Sequence, residues 1–120
     1  MKILVVDDSK SIRNMVANVL ADAGHTVAMA CDGKEALEQA ADVEFDVIIA
    51  DINMPEMDGL QLVSHLRSRE EYVEKPIIFL TTEGTDEYKA MGQLLGAAAW
   101  ITKPFVPGLL LEAVSGVLKG

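Results

Sequence analysis

Short runs of apolar residues recur five times along the chain, and each run is closed by turn or polar residues. Such runs are typical of strands buried in a parallel sheet. The run at Thr26–Ala30 has smaller residues than the others, which favours a position at the edge of the sheet. The runs predicted as strands are Ile3–Val6, Thr26–Ala30, Asp46–Ala50, Ile77–Leu80 and Ala99–Ile101.

Between and after these runs, apolar residues lie three and four positions apart, which is the spacing of one face of a helix. The first helix is predicted over Ser9–Ala23 and the second over Gly33–Ala41. Strand and helix therefore alternate five times, which implies a doubly wound α/β fold with helices on both faces of a parallel sheet. The residues expected to cap or begin the five helices are Ser9, Asp32, Asp58, Thr85 and Pro107.

Polar residues follow four of the five predicted strands. Asp7 and Asp8 come after the first strand, Asp51 after the third, Thr81 after the fourth and Lys103 after the fifth. Ligands of open α/β sheets bind beyond the carboxyl ends of the strands. The sequence therefore predicts a site for a metal ion and a phosphoryl group at this end of the sheet.

The carboxylates in this set imply a cation. Two carboxylates about 4 Å apart repel each other by roughly 4 kcal/mol at an effective dielectric constant of 20. Three would not gather without a cation or raised pKa values. Because the predicted ligands are carboxylates, with neither His nor Cys among them, the pattern favours Mg²⁺, with Mn²⁺ as the alternative ion.

Composition narrows the class of protein. A chain of 120 residues suits one domain, and a net charge of −9 argues against nonspecific binding to nucleic acid or anionic lipid. Cys31 is the single cysteine, so an internal disulfide and a thiolate zinc cluster are both excluded. No apolar stretch approaches the length of a membrane span. The apolar segment before Asp7 is too short for a signal-peptide core. We therefore expect a cytoplasmic protein that does not bind membranes.

Five motifs in order resemble the receiver domain of two-component response regulators. They are Asp7-Asp8, Asp51 with Asn53-Met54-Pro55, Asp58-Gly59, Leu80-Thr81 and Lys103-Pro104-Phe105. The resemblance covers residues 1–120 and is strongest to single-domain receivers of the CheY-like chemotaxis type. It implies a five-stranded, flavodoxin-like parallel sheet with five helices, in the order 2-1-3-4-5 that is known for CheY.

The resemblance assigns roles to the acidic residues. It makes Asp51 the phosphoryl acceptor and a ligand of Mg²⁺. Asp8 is a direct metal ligand in this comparison, whereas Asp7 acts mainly through a coordinated water. The main-chain carbonyl of Asn53 is a further implied ligand.

The resemblance also implies roles for residues around the phosphoryl group. Thr81 and Lys103 are expected to bind the phosphoryl oxygens. Trp100 stands where the family usually has Tyr or Phe, so Thr81 and Trp100 are the expected switch pair, although static packing of Trp100 remains an alternative. The residues expected to tune hydrolysis are Asn53, Thr82 and Glu83.

The implied function is a phosphorylation-dependent switch. A histidine kinase is the expected phosphodonor, and the expected partner is a protein target on the face formed by the fourth helix, the last strand and the last helix. The chain is expected to be a monomer. It is expected to catalyse only its own phosphorylation and dephosphorylation, and otherwise not to be an enzyme. One alternative is a small aspartyl-phosphate phosphatase of the haloacid-dehalogenase kind. The others keep the fold, as a phosphate sink or as a receiver cut from a DNA-binding regulator.

Overall fold

A computed structural model describes the backbone of residues 1–119 and the side chains of residues 1–117. Within this range five strands and five α-helices alternate along the chain, as predicted. The strands are β1 (Lys2–Val6), β2 (Thr26–Ala30), β3 (Val47–Ala50), β4 (Ile77–Thr81) and β5 (Ala99–Thr102). The α-helices are α1 (Lys10–Asp22), α2 (Gly33–Asp42), α3 (Gly59–Arg67), α4 (Asp86–Leu94) and α5 (Pro107–Lys119). A short 3₁₀ helix at Glu70–Tyr72, which the sequence pattern does not predict, lies between α3 and β4.

All five strands are parallel, and their order across the sheet is β2-β1-β3-β4-β5. The predicted order is therefore confirmed, with β2 at one edge. In the central pair, Val6 of β1 is the register partner of Ala50 of β3. Because the next residues are Asp7 and Asp51, the pairing of the two strands brings both carboxylates to the same level of the sheet.

Side-chain caps fix where the helices begin. The side chain of Asp58 accepts a hydrogen bond from the backbone N–H of Gln61, and the side chain of Gln61 accepts one from the backbone N–H of Asp58. This reciprocal pair is a capping box, and it confirms Asp58 as the predicted cap of α3. The other side chains that accept a hydrogen bond from the third residue of their helix are Ser9, Asp32 and Thr85.

The predicted boundaries differ from the observed ones by one residue at several ends. Strand β3 begins at Val47, because Asp46 pairs with Lys2 through both its backbone N–H and its carboxylate. Helix α2 extends to Asp42, and β4 extends to Thr81. The extension of β4 places the hydroxyl of Thr81 at the last position of the strand.

Apolar side chains cover both faces of the sheet. Trp100 packs with the cluster that includes Phe79 and residues of α2 and α3, whereas its neighbours Ala99 and Ile101 pack with residues of α1 and α5. This alternation is the two-residue period of a strand. Within the described residues, no helix is both long and apolar enough to cross a membrane.

Candidate functional site

Three carboxylates meet at the carboxyl ends of β1 and β3. Asp7 and Asp51 are buried residues, at 3% and 6% exposure, whereas Asp8 is exposed. The backbone N–H of Asp51 donates to the carbonyl of Val6 at 3.0 Å, which fixes the start of the loop after β3 against β1. One carboxylate oxygen from each of Asp7, Asp8 and Asp51 lies within 4.8 Å of the other two. The structure therefore brings together the acidic residues that the sequence singled out.

Lys103 joins two of these carboxylates. Its Nζ lies 2.7 Å from Oδ2 of Asp7 and 2.8 Å from Oδ2 of Asp51. The backbone N–H of Lys103 donates to the carbonyl of Thr81 at 2.8 Å, and the peptide that links Lys103 to Pro104 is cis. Three carboxylates and one ammonium leave two formal negative charges, which one divalent cation would neutralise.

Burial and hydrogen bonds act in opposite directions on the pKa values of Asp7 and Lys103. Burial raises the pKa of Asp7 above the ordinary 3.8, although the hydrogen bond from Lys103 acts in the opposite direction. Burial lowers the pKa of Lys103, but the hydrogen bonds to Asp51 and Asp7 outweigh it and the net shift is upward. The ammonium of Lys103 is thus held in its charged form. At Asp7, the hydrogen bonds do not fully offset the effect of burial on the pKa of the carboxylate.

Both carboxylate oxygens of Asp51 already have partners. Oδ1 accepts a hydrogen bond of 2.7 Å from the backbone N–H of Ile52, and Oδ2 is the oxygen bound by Lys103. The start of α3 closes on the same loop, because the N–H of Gly59 donates to the carbonyl of Ile52 at 2.8 Å. A Cβ on Gly59 would lie 2.1 Å from the carbonyl oxygen of Asp51, so only glycine permits this approach. This requirement for glycine depends on a contact between the start of α3 and the loop after β3, so it is not visible in the Asp58-Gly59 motif alone.

Thr81 is fully buried at the end of β4. Its Oγ1 accepts a hydrogen bond of 3.2 Å from the backbone N–H of Glu83. The residue therefore lies at the predicted end of the sheet, and its hydroxyl shapes the loop that follows. The expected contact between Thr81 and a phosphoryl oxygen stays a prediction.

The loop after β4 connects Glu83 to two side chains from other parts of the chain, Asn53 and Trp100. The side-chain amide of Asn53 donates to Oε1 of Glu83 at 2.8 Å. The carbonyl of Glu83 accepts a hydrogen bond of 2.9 Å from the indole N–H of Trp100, whose ring lies 5.4 Å from that of Phe79. Thr82, between Thr81 and Glu83, is exposed. Glu83 thus links the loop after Asp51 to β5.

The residues of this site fit a hard divalent cation. All three acidic side chains offer oxygen, the ligand type that Mg²⁺ prefers, and their excess charge matches a dication. Two of the three have a hydrogen bond that fixes one oxygen, from Ser9 to Asp7 and from Ile52 to Asp51. The main-chain ligand implied by the resemblance, Asn53, lies two residues after Asp51 in the loop that follows β3.

Arg13 is a residue of the site that the sequence analysis did not single out. Its Nη1 donates to the main-chain carbonyl of Asp7 at 2.6 Å. Side chains of a helix lean towards its N-terminus, so a basic residue in the first turns of α1 can reach back to the end of β1. That spacing is the signal by which the sequence could have indicated Arg13.

This fold and this arrangement of acidic, hydroxyl and lysine side chains define a receiver. The chain belongs to the response regulator receiver domain family, whose model matches residues 3–115. It is 41% identical to the chemotaxis protein CheY1 of Helicobacter pylori, over 98% of this chain and 97% of that protein. It is also 41% identical to a CheY homolog of Campylobacter jejuni, over 98% and 92% of the respective chains.

A solved structure leads to the same group of proteins. The chemotaxis protein CheY4 of Vibrio cholerae superposes with a TM-score of 0.93 and 48% sequence identity, over 97% of each chain. The predicted family and fold are therefore confirmed, and the chain is a receiver domain homologous to CheY chemotaxis regulators. These comparisons give no support to the phosphatase alternative.

Proposed function

We propose that this receiver accepts a phosphoryl group from a histidine kinase onto Asp51, and that the product changes the binding of a protein target in cytoplasmic two-component signalling of the chemotaxis type. One observation carries the assignment. Asp51 is a nearly buried carboxylate that lies beside two further acids and is bound by Lys103. A carboxylate in such a setting can form a covalent acyl phosphate.

The transfer requires one bond to form as another breaks. A carboxylate oxygen of Asp51 forms the bond to phosphorus while the bond from phosphorus to the donor nitrogen breaks, and that nitrogen keeps the electron pair. Lys103 moves from the Asp51 carboxylate to a phosphoryl oxygen, a short shift because its Nζ is already 2.8 Å from Oδ2. Such a cation stabilises charge on the transferred group without any further covalent step.

Asp8 and Asp51, with the main-chain carbonyl of Asn53, would hold Mg²⁺ directly, and Asp7 would act through a coordinated water. When bound, the ion neutralises charge on the phosphoryl oxygens and on the clustered carboxylates. The protein's own part is to keep these oxygens in place. The exposed carboxylate of Asp8 is the one that solvent reaches most easily.

The energy available for switching is of the required size. Hydrogen bonds to charged groups contribute about 1.5–3 kcal/mol each. Two such bonds, from Thr81 and Lys103 to the phosphoryl group, give roughly 3–6 kcal/mol. Moving a two-state equilibrium from 1:99 to 99:1 takes about 5.5 kcal/mol, so these two contacts nearly suffice.

Rearrangement of Thr81 would reach Trp100 through the loop between them. The hydroxyl of Thr81 holds the N–H of Glu83, and the carbonyl of Glu83 holds the indole of Trp100. If the hydroxyl of Thr81 turns towards a phosphoryl oxygen, its hydrogen bond with the N–H of Glu83 is released. We propose that α4, β5 and α5 form the surface to which a target binds. Its exposed apolar side chains include Met91 of α4, Leu109 of α5 and Val106 just before α5.

The assignment is tested with acetyl phosphate as phosphodonor. Incubation with Mg²⁺ should add one phosphate by mass spectrometry, and the label should be lost in Asp51→Asn. Asp58→Asn is the matched control, because Asn also caps helices well and Asp58 lies in the same loop. The emission of Trp100 should change in step with labelling.

Three outcomes would contradict parts of this proposal. Equal labelling of Asp51→Asn would remove Asp51 as acceptor. Full labelling in excess chelator would remove the cation from the reaction. Emission that stays flat through complete labelling would make Trp100 static packing and leave the phosphorylation of Asp51 intact.

A further inference from the structure

Every polar group of Asp7, in its backbone and in its side chain, has a hydrogen-bond partner. Its backbone N–H donates to the carbonyl of Ala30 at 3.2 Å, and its carboxylate accepts from the N–H of Ser9 and from Lys103. Its carbonyl accepts the 2.6 Å hydrogen bond from Nη1 of Arg13. Of these partners, Arg13 alone reaches the site from the body of α1, and its bond to a carbonyl oxygen is charge-assisted.

The carbonyl of Asp7 and the N–H of Asp8 belong to the same peptide plane. Because a peptide bond is planar, a hydrogen bond that fixes the carbonyl also fixes the rotation of this plane. This plane contains the N and Cα atoms of Asp8, so fixing it restricts the directions in which the side chain of Asp8 can leave the backbone. Arg13 can therefore influence the position of the exposed carboxylate of Asp8 without contacting a bound ion.

We propose that Arg13 is a positioning residue for the divalent-cation site and that it acts by orienting the carboxylate of Asp8. This inference rests on the proposed function, since it concerns the same cation. Two effects of Arg13 oppose each other: the fixed peptide plane favours binding of the ion, whereas the positive charge of the guanidinium disfavours it. The short, charge-assisted bond favours the first effect, because partners that orient metal ligands typically change affinity by about 10- to 100-fold.

The chain offers a matched control for this inference. Arg69 also donates through its Nη1 to a main-chain carbonyl, that of Leu37, at 3.0 Å. It lies after α3 and is half-buried, as Arg13 is. Arg69→Met therefore removes the same charge and the same kind of hydrogen bond without touching the peptide between Asp7 and Asp8.

The experiment is a calorimetric titration with MgCl₂ alone, without a phosphodonor, on the parent, Arg13→Met, Arg13→Lys and Arg69→Met. The dissociation constant should rise about tenfold in Arg13→Met and stay within about twofold of the parent in Arg69→Met. Arg13→Lys keeps the charge but replaces the planar guanidinium with an ammonium group, so its dissociation constant should lie between those of the parent and Arg13→Met. Thermal melts of each variant show whether a change in stability accompanies the change in affinity.

An Arg13→Met chain that binds Mg²⁺ as tightly as Arg69→Met, or more tightly than the parent, would overturn the inference. If Arg13→Met does not fold, Arg13→Gln takes its place under the same two criteria. Labelling of the parent by acetyl phosphate in parallel samples tests the proposed function separately. A parent that binds Mg²⁺ without being labelled would contradict that function and leave the comparison of Arg13 with Arg69 valid.

Discussion

A methyl group on Gly92 would come within 2.8 Å of Cζ3 of Trp100, so α4 lies on the indole at the one position where the helix has no side chain. Gly92 is a buried residue of α4. The indole beneath it packs on Phe79 and is bound to the carbonyl of Glu83. The absence of a side chain at Gly92 thus accommodates an indole between the loop after β4 and a helix of the proposed target surface.

Gly92→Ala should displace the indole or the helix. We expect a loss of roughly 1–3 kcal/mol in the free energy of unfolding, which is typical of overpacking, together with a shifted emission maximum for Trp100. Urea denaturation followed by fluorescence measures both quantities. Gly116→Ala in α5 is the control, because its added methyl meets open space and Ala favours helix. Equal stabilisation by the two substitutions would contradict the close contact.

Asp8→Ala should remove most of the response to Mg²⁺. A ligand that binds only the native state stabilises it by roughly 1.4 kcal/mol at ten times its dissociation constant, so the parent should melt higher with Mg²⁺. The variant should lose this rise and, without the ion, should be more stable than the parent, because one of three mutually repelling carboxylates is gone. Asp22→Ala, at an exposed acid in α1, should keep the parent's response.

Thr82→Ala should shorten the lifetime of the phosphoryl group on Asp51. Thr82 is exposed in the loop that links Thr81 to Glu83, where a larger side chain restricts the approach of water. The decay of labelled protein at saturating Mg²⁺ measures the effect, and the melting temperature should not change. Thr26→Ala, at the exposed edge strand, is the control. A decay as slow as the parent's would show that Thr82 does not shield the acyl phosphate.

Glu56→Asn should stabilise the fold. Glu56 has a φ of 68°, in the left-handed region that Asn tolerates better than Glu. We expect a gain of roughly 0.5–1 kcal/mol in urea denaturation. Glu74→Asn removes the same charge from another exposed position whose φ is negative, and it should give no such gain. A gain of equal size in both variants would assign the effect to charge.

Tyr72→Phe should lower the free energy of unfolding at neutral pH, and the loss should be smaller at alkaline pH. The buried hydroxyl of Tyr72 accepts from the N–H of Phe45 and lies 2.8 Å from the carbonyl of Val43. Its loss leaves a buried donor unpaired, at a cost of roughly 1–3 kcal/mol. Burial raises the pKa of Tyr72 above 10.0, so its contribution is complete below pH 10 and is lost as the pH rises through the folded pKa. Denaturation at pH 7 and above pH 10 should show the difference between parent and variant narrowing.

The parallel sheet and the position of Asp51 could be predicted because both depend on local pattern. Apolar runs, caps such as Ser9 and the polar residue after each strand are all readable along the chain. The contacts between Asn53 and Glu83 and between Gly92 and Trp100 could not be predicted. Each joins residues from separate loops or elements, and such pairs are set by how those elements approach in space.

The register of Val6 against Ala50 fixes the relative position of Asp7 and Asp51, the residues that follow them. Neighbouring strands lie about 4.8 Å apart, so the spacing between the backbones that carry Asp7 and Asp51 is a property of main-chain pairing. Inserting one residue into β1 would turn Asp7 to the other face of the sheet and dismantle the site at one stroke. The side chains of Asn53 and Thr82 take no part in this main-chain pairing. Substitutions of those two side chains should therefore change how long the phosphoryl group stays on Asp51, while the strands keep the spacing of the site.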